Sequence, residues 1–268
     1  MKHELNNVIA VVNNKGGVGK TTTVHALASV MMKRNKNLHI LMIDMDSQCN
    51  LSRLCRFGKG ESIYDCISND SGIPVYKNID GLYYAPASFN LRNADVILNS
   101  KTSPNSVISE CFEREVNNHT DDDIKSINTF FDYVFIDCPP ALSRISYNAM
   151  MVADVMILPV QMEGFSVSGV GTTLLEMKKI MKVNPLLAEY FIVPVMVDMR
   201  RKATRKYMEF DFITDEFKEH VTKTFIRPCT KVNEAQESQL SLYDYAPECT
   251  TANDYKNLCV EIFGNKFK

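Results

Sequence analysis

Val8-Ile-Ala-Val-Val12, Asn13-Asn-Lys-Gly-Gly-Val-Gly-Lys-Thr-Thr-Thr23 and the amphipathic run on to Arg34 follow one another without a break. An apolar segment of strand length leads into a glycine-rich loop, and the loop opens a helix. Gly16, Gly17 and Gly19 let the backbone turn tightly, so that successive N–H groups point inward at a polyphosphate and the helix N-terminus adds partial positive charge. Lys20 supplies a point charge for the β- and γ-phosphates, and Thr21 a hydroxyl for Mg2+. The usual pattern has glycine at position 14, whereas this chain has Asn14 followed by a second lysine, Lys15.

Outward from the loop, short apolar runs alternate with longer amphipathic ones. Strands are expected at Val8–Asn13, Leu38–Asp44, Tyr133–Asp137, Val155–Val160 and Phe191–Asp198, and helices at Thr21–Arg34 and Val167–Val183. Strands interleaved with helices specify an α/β fold with a doubly wound, mostly parallel sheet. The strands are solidly apolar, as expected where helices cover both faces. Two of these strands end in carboxylates beside the loop. Leu38–Ile43 runs into Asp44-Met-Asp46, and residues two apart in extended chain lie on one side, so both acids face one crevice. Tyr133–Ile136 ends in Asp137-Cys-Pro-Pro140, an apolar strand delivering one carboxylate toward a metal.

Composition narrows the class. The 268 residues are 45% hydrophobic and 23% charged with a net charge of −2, so no whole-molecule positive field draws the chain to nucleic acid or anionic membrane. No apolar run approaches the roughly 20 residues of a membrane span, and no secretory h-region precedes the first strand. The eight cysteines include no C-x-x-C pair and read as reduced thiols in a cytoplasmic protein, Cys138 among them although it lies beside the candidate site. Residues 1–268 are expected to form a single domain, with 57–128 a variable region of loops and surface helices. Asp121-Asp-Asp123 within it reads as a solvated helix start.

Lys15-Gly-Gly-Val-Gly-Lys-Thr-Thr22 resembles the deviant Walker A motif of the ParA/MinD group of P-loop ATPases. Asp44-Met-Asp46-Ser-Gln-Cys-Asn50 is similar to that group's D-x-D-P-Q-x-N box, with Ser47 in place of proline, and Asp137-Cys-Pro-Pro140 to its Walker B and switch II. The resemblance implies a P-loop NTPase sheet and an ATP-binding site at Lys15, Gly16, Gly17, Val18, Gly19, Lys20, Thr21 and Thr22. It implies Mg2+ held through Thr21, Asp137 and Asp44, and catalysis by Lys15, Lys20 and Asp46. Lys15 would reach the nucleotide of a partner subunit in an ATP-dependent homodimer, and Asp46 would orient water. Ile226-Arg227-Pro228 is similar to a stretch that encloses adenine, with Arg227 and Pro228 transposed. Leu158-Pro159-Val160-Gln161-Met162-Glu163 looks like a P-x-Q-x-E segment, and reads equally as a strand followed by a helix cap.

The group contains DNA-partition and membrane-positioning members, so other residues must choose. Arg200-Arg-Lys-Ala-Thr-Arg-Lys206 holds five basic residues in seven. Arg200, Arg201, Lys202, Arg205 and Lys206 suit non-specific phosphate neutralisation on double-stranded DNA, and equally suit a solvated helix start. For a membrane, Tyr255, Leu258, Cys259, Ile262 and Phe263 recur at helical spacing, but Gly264 interrupts them and a last helix packed on the sheet explains them better. The expectation is therefore a cytoplasmic, nucleoid-associated ATPase of weak, partner-stimulated turnover. With a ParB-like adaptor and without stable membrane association, it would partition plasmid, chromosomal or other mobile DNA; a MinD-like membrane-associated ATPase is the alternative.

Overall fold

The computed structural model describes residues 7–264, without the side chains of 164–168. Eight strands form one sheet: β1 (Val8–Val11), β2 (Ile40–Asp44), β3 (Pro74–Lys77), β4 (Tyr83–Ala85), β5 (Asn117–Asn118), β6 (Tyr133–Asp137), β7 (Val155–Gln161) and β8 (Glu189–Val195). Their order is β5-β3-β4-β2-β6-β1-β7-β8, and every pairing is parallel except β3 with β4. The doubly wound, mostly parallel sheet read from the sequence is the one observed.

Side chains along these apolar strands divide by alternation. Val8, Ala10, Leu41, Ile43, Val134 and Ile136 enter one core, whereas Ile9, Val11, Ile40, Met42, Phe135 and Ile157 enter the other. The Lys20–Arg34 helix covers the second face together with the last helix, Thr250–Phe263, where the Thr23 and Tyr255 hydroxyls lie 3.0 Å apart. Tyr255, Leu258 and Cys259 are buried there, and Ile262 and Phe263 pack on the same core, so the sheet covers the terminal helix's apolar face.

Residues 57–128 supply strands as well as the loops and surface helices expected of them. They form β3, β4 and β5, which extend the sheet beyond β2. Their helices bury one face, with Ile63, Ile67, Leu98, Ile108 and Cys111 fully buried, and expose the other, with Val96, Asn99, Glu110 and Glu113 at the surface. Three strands of two to four residues carry too little pattern to be read locally, and one of them pairs antiparallel in a parallel context.

Register positions the site. Val11 and Asp44 both pair with Asp137, which brings the carboxyl ends of β1, β2 and β6 level with one another. Chain order reverses around this edge, with β2 on one side of β6 and β7 and β8 on the far side of β1. That crevice is where open α/β sheets bind ligands.

Candidate functional site

The loop leaves β1 with Gly17 at φ +74° and Gly19 at φ +82°, both left-handed, with no atom within 4 Å of the position a Cβ would take. Backbone conformation rather than space therefore demands glycine at these two positions. Val18 anchors the loop in the core. The Asn13 amide donates to the Pro159 carbonyl at 2.7 Å while its oxygen accepts the Lys15 N–H at 2.9 Å. Asn14, where glycine is usual, donates to the Gly169 carbonyl at 3.4 Å and ties the loop to the Gly164–Val183 helix.

Lys20, Thr21 and Asp137 meet at the foot of the loop. The Lys20 ammonium donates to the Lys15 carbonyl at 2.9 Å, and the Thr21 hydroxyl to Asp137 Oδ2 at 2.6 Å. Asp137 Oδ1 is buried with no hydrogen-bond partner. Burial pushes the Asp137 carboxyl well above the usual carboxylate range, reinforced by Asp44 and opposed by the Thr21 hydroxyl and Lys20. Burial also pulls Lys20 down, against the attraction of Asp137. A site that under-solvates both an acid and a base is preorganised for charges it does not itself contain.

Asp44 and Asp46 part company. Asp44 Oδ2 accepts from the Ser52 N–H and hydroxyl at 2.8 and 2.7 Å, and Oδ1 from the Asp46 N–H at 3.1 Å. Burial raises its carboxyl to about 6. Both Asp44 oxygens thus accept hydrogen bonds from the segment that carries Asp46 and Ser52, and Asp44 holds that segment in place. Asp46 lines the open cavity, held by the Gln48 N–H donating to its Oδ1 at 2.9 Å.

That cavity, about 590 Å³, runs from Gly16, Lys20 and Thr21 past Asp46 to a wall of Met196, Val232, Asn233 and Gln236. The Gln236 amide donates to the Thr22 hydroxyl at 2.9 Å and joins the wall to the loop. Arg227 and Pro228, expected near a base, do not line it. The Arg227 guanidinium instead pairs with Asp254 at 2.6 and 3.0 Å, and the Thr251 hydroxyl donates to the Arg227 carbonyl. The wall comes from one face of the Lys231–Glu237 helix, a few residues farther on, and from Met196, directly after β8 at left-handed φ +54°. The rule that ligands bind beyond strand carboxyl ends points to Met196, whereas the helix face carries no chemical signature in the sequence. Cys138, beside Asp137, is buried with its thiol pushed up by burial.

The basic cluster lies beyond β8, with Arg200 and Arg201 just ahead of the short helix Lys202–Tyr207 that carries the rest, and is partly neutralised by its neighbours. Arg200 forms a bidentate pair with Asp198 at 2.8 and 2.9 Å, which holds the Asp198 carboxyl down at about 2. Arg201 bonds Glu163 at 3.0 Å, and Arg205 donates to the Met199 carbonyl. Lys202 and Lys206 are exposed. Among the described residues, no cluster of three His, Cys, Asp or Glu side chains could hold a metal, and no helix is long and apolar enough to cross a membrane.

A family model described as an AAA domain, AAA_31, matches residues 6–189, from the first strand through the P-loop and both carboxylate strands. The chain belongs to the AAA_31 family. Along nearly its whole length this AAA_31 protein is similar to the chromosome-partitioning ATPase Soj of Treponema pallidum, 28% identical over 95% of this chain and 96% of the relative. It is also similar to the chromosome partitioning protein ParA of Caulobacter vibrioides, 27% identical over 97% and 94% of the two chains. The ParA/MinD resemblance of its loop is thereby borne out. Cobyrinic acid a,c-diamide synthase of Mycobacterium smegmatis, solved with an ATP analogue and magnesium, shares the fold at a TM-score of 0.72 and 21% identity, covering 94% of this chain and 92% of that one.

Proposed function

We propose that this AAA_31 protein is a Mg2+-dependent ATPase that pairs with a second copy on ATP, binds double-stranded DNA without sequence preference and moves a DNA cargo. One observation carries the ATPase reading: the Thr21–Asp137 hydrogen bond beside an unpartnered buried carboxylate oxygen and Lys20, at the foot of a left-handed glycine cradle. Mg2+ characteristically keeps several waters and takes one or two protein oxygens plus substrate phosphates. A threonine hydroxyl and one orphaned carboxylate oxygen fit that demand. Thr21 and Asp137 would hold the ion, which supplies charge neutralisation at the phosphates. The loop amides and Lys20 bind the anion, and an anion beside Lys20 restores the ammonium charge that burial disfavours. Asp46 stands at the cavity wall, where a carboxylate can align water, so catalysis is positioning and electrostatics.

Lys15 is assigned to the nucleotide of a partner subunit. The names of the two partition relatives support a chromosomal DNA cargo; a plasmid or other mobile DNA cargo, and a ParB-like protein that stimulates otherwise weak hydrolysis, are assigned by the likeness of the loop to the ParA/MinD group. Arg200, Arg201, Lys202, Arg205 and Lys206 are assigned to phosphate contact in a nucleoid-associated cytoplasmic protein. The exposure of Lys202 and Lys206 supports that assignment. The test is retention on random double-stranded DNA with ATP, ADP or no nucleotide across a salt series. Salt-sensitive retention only with ATP is expected, and retention indifferent to nucleotide overturns the reading.

A further inference from the structure

A short helix, Asn50–Leu54, follows the strand end that carries Asp44 and Asp46, and Leu51, Ser52 and Leu54 anchor it by burial. Leu51 enters the second core, and the Ser52 hydroxyl donates to Asp44. Residues three apart share a helix face, which leaves Asn50 and Arg53 toward the nucleotide cavity, and both line it. The Arg53 guanidinium folds back along the helix, where its Nη2 donates to the Gln48 carbonyl at 2.6 Å. Gln48 is also the residue whose N–H holds Asp46 Oδ1. The guanidinium and the Asp46 carboxylate are thus fixed to the carbonyl and the amide of a single residue. The helix is fastened to the far wall as well: the Gln239 amide donates to the Arg53 carbonyl at 2.9 Å, and Arg56 to the Gln239 carbonyl at 3.3 Å.

Arginines elsewhere around the site are matched by acids. Arg200 pairs with Asp198, Arg201 with Glu163 and Arg227 with Asp254. Among the described residues, no carboxylate lies within ion-pair distance of the Arg53 guanidinium. An arginine that lines a cavity with one N–H on a carbonyl and no acid beside it keeps further donors for an anion, and its planar fork suits two oxygens of one phosphate. Lys20 serves from the loop side, where it reaches the β-phosphate that ATP and ADP both carry. Arg53 serves from the Asp46 side. Asp46 is assigned to the water that attacks the terminal phosphorus, so a cation tied to the same turn stands at the terminal-phosphate end of the nucleotide. Bound ADP leaves that end empty.

We infer that Arg53 is a specificity-determining residue: its guanidinium binds the terminal phosphate of ATP and makes the site prefer the triphosphate to the diphosphate. This inference rests on the cavity being the ATP site.

The test is equilibrium titration of the intact chain with a non-hydrolysable ATP analogue and with ADP, both with Mg2+. Arg53→Gln keeps a donor for the Gln48 carbonyl and loses the charge, whereas Arg53→Lys keeps the charge. Arg53→Gln is expected to weaken the analogue about tenfold and to leave ADP within about twofold, since a charge-assisted hydrogen bond is lost from the first complex and none from the second. Arg53→Met, a second neutral variant, should repeat that result, and Arg53→Lys should retain most of the preference for the triphosphate. A natural preference kept by both neutral variants overturns the inference, and so does equal weakening of both nucleotides, which is what a purely structural role would give. A natural chain that binds neither nucleotide fails the ATPase reading itself, whereas normal binding with an unmoved preference fails this inference alone.

Discussion

Asp44 and Asp46 are two residues apart, and their partners give them different work. Asp44 accepts three hydrogen bonds, one from Asp46 and two from Ser52 on the helix that follows, whereas Asp46 accepts one and faces the cavity. Removing Asp46 therefore leaves the loop, Lys20 and Thr21 in place. Asp46→Ala should bind ATP as the natural chain does and hydrolyse it about 100-fold more slowly or worse; unchanged phosphate release would show that another group aligns water. Lys20 is the opposite case, a buried ammonium at the foot of the cradle. A charge-assisted hydrogen bond contributes about 1.5–3 kcal/mol, so Lys20→Ala should weaken a fluorescent ATP analogue about 10- to 100-fold in equilibrium titration.

Between elements, a few polar contacts hold the strands at the register the site needs. Asp154, just before β7, accepts the N–H of Val8 at the start of β1 at 2.8 Å, and burial raises its carboxyl from the ordinary 3.8 to about 6. Between these two values the folded chain keeps a proton that the unfolded chain has released. The stability this group contributes is thus complete below about pH 4 and is lost as pH rises through about 6. Asp154→Asn keeps an acceptor and cannot ionise, so urea denaturation should show the variant gaining about 1–2 kcal/mol on the natural chain between pH 4 and 7. At the other side of the sheet, Gly72 passes so close to residue 115 that a Cβ would lie 1.8 Å from the Glu115 carbonyl oxygen. This approach admits the Pro74–Asn117 pairing of β3 with β5. Gly72→Ala should cost about 1–3 kcal/mol, the usual scale of overpacking, read as a lowered thermal midpoint with the P-loop untouched.

Over the molecule, a net charge of −2 gives no general positive field, so the proposed DNA binding falls to the basic patch at 200–206. That patch carries its own counter-charges in Asp198 and Glu163. On the proposed reading Arg200 and Arg201 would engage phosphate by exchanging these partners, and ion pairs at the surface cost little to break. Arg200→Glu with Arg201→Glu should weaken ATP-dependent DNA retention and flatten its logarithmic salt slope by about two, one phosphate contact for each arginine. An unaltered slope would return the cluster to the role of a solvated helix start.

The P-loop, the carboxylate-ended strands and the parallel sheet were legible from the chain alone because each is a contiguous signal. Glycines sit where the backbone turns left-handed, acids end apolar runs, and the β1, β2, β6, β7 and β8 runs are apolar on both faces. The strands of 57–128 were not legible, since two to four residues gain strand character only from a neighbouring strand. Nor was the far wall of the cavity, which joins Met196 to a helix face dozens of residues away, or the pairing of Arg227 with Asp254. Asp44 makes the division plain: its place at a strand end follows from sequence, but folding alone brings Ser52 to its oxygens. Local pattern sets which backbone each segment prefers, whereas a side chain's work depends on the partners that non-local packing places within hydrogen-bond reach.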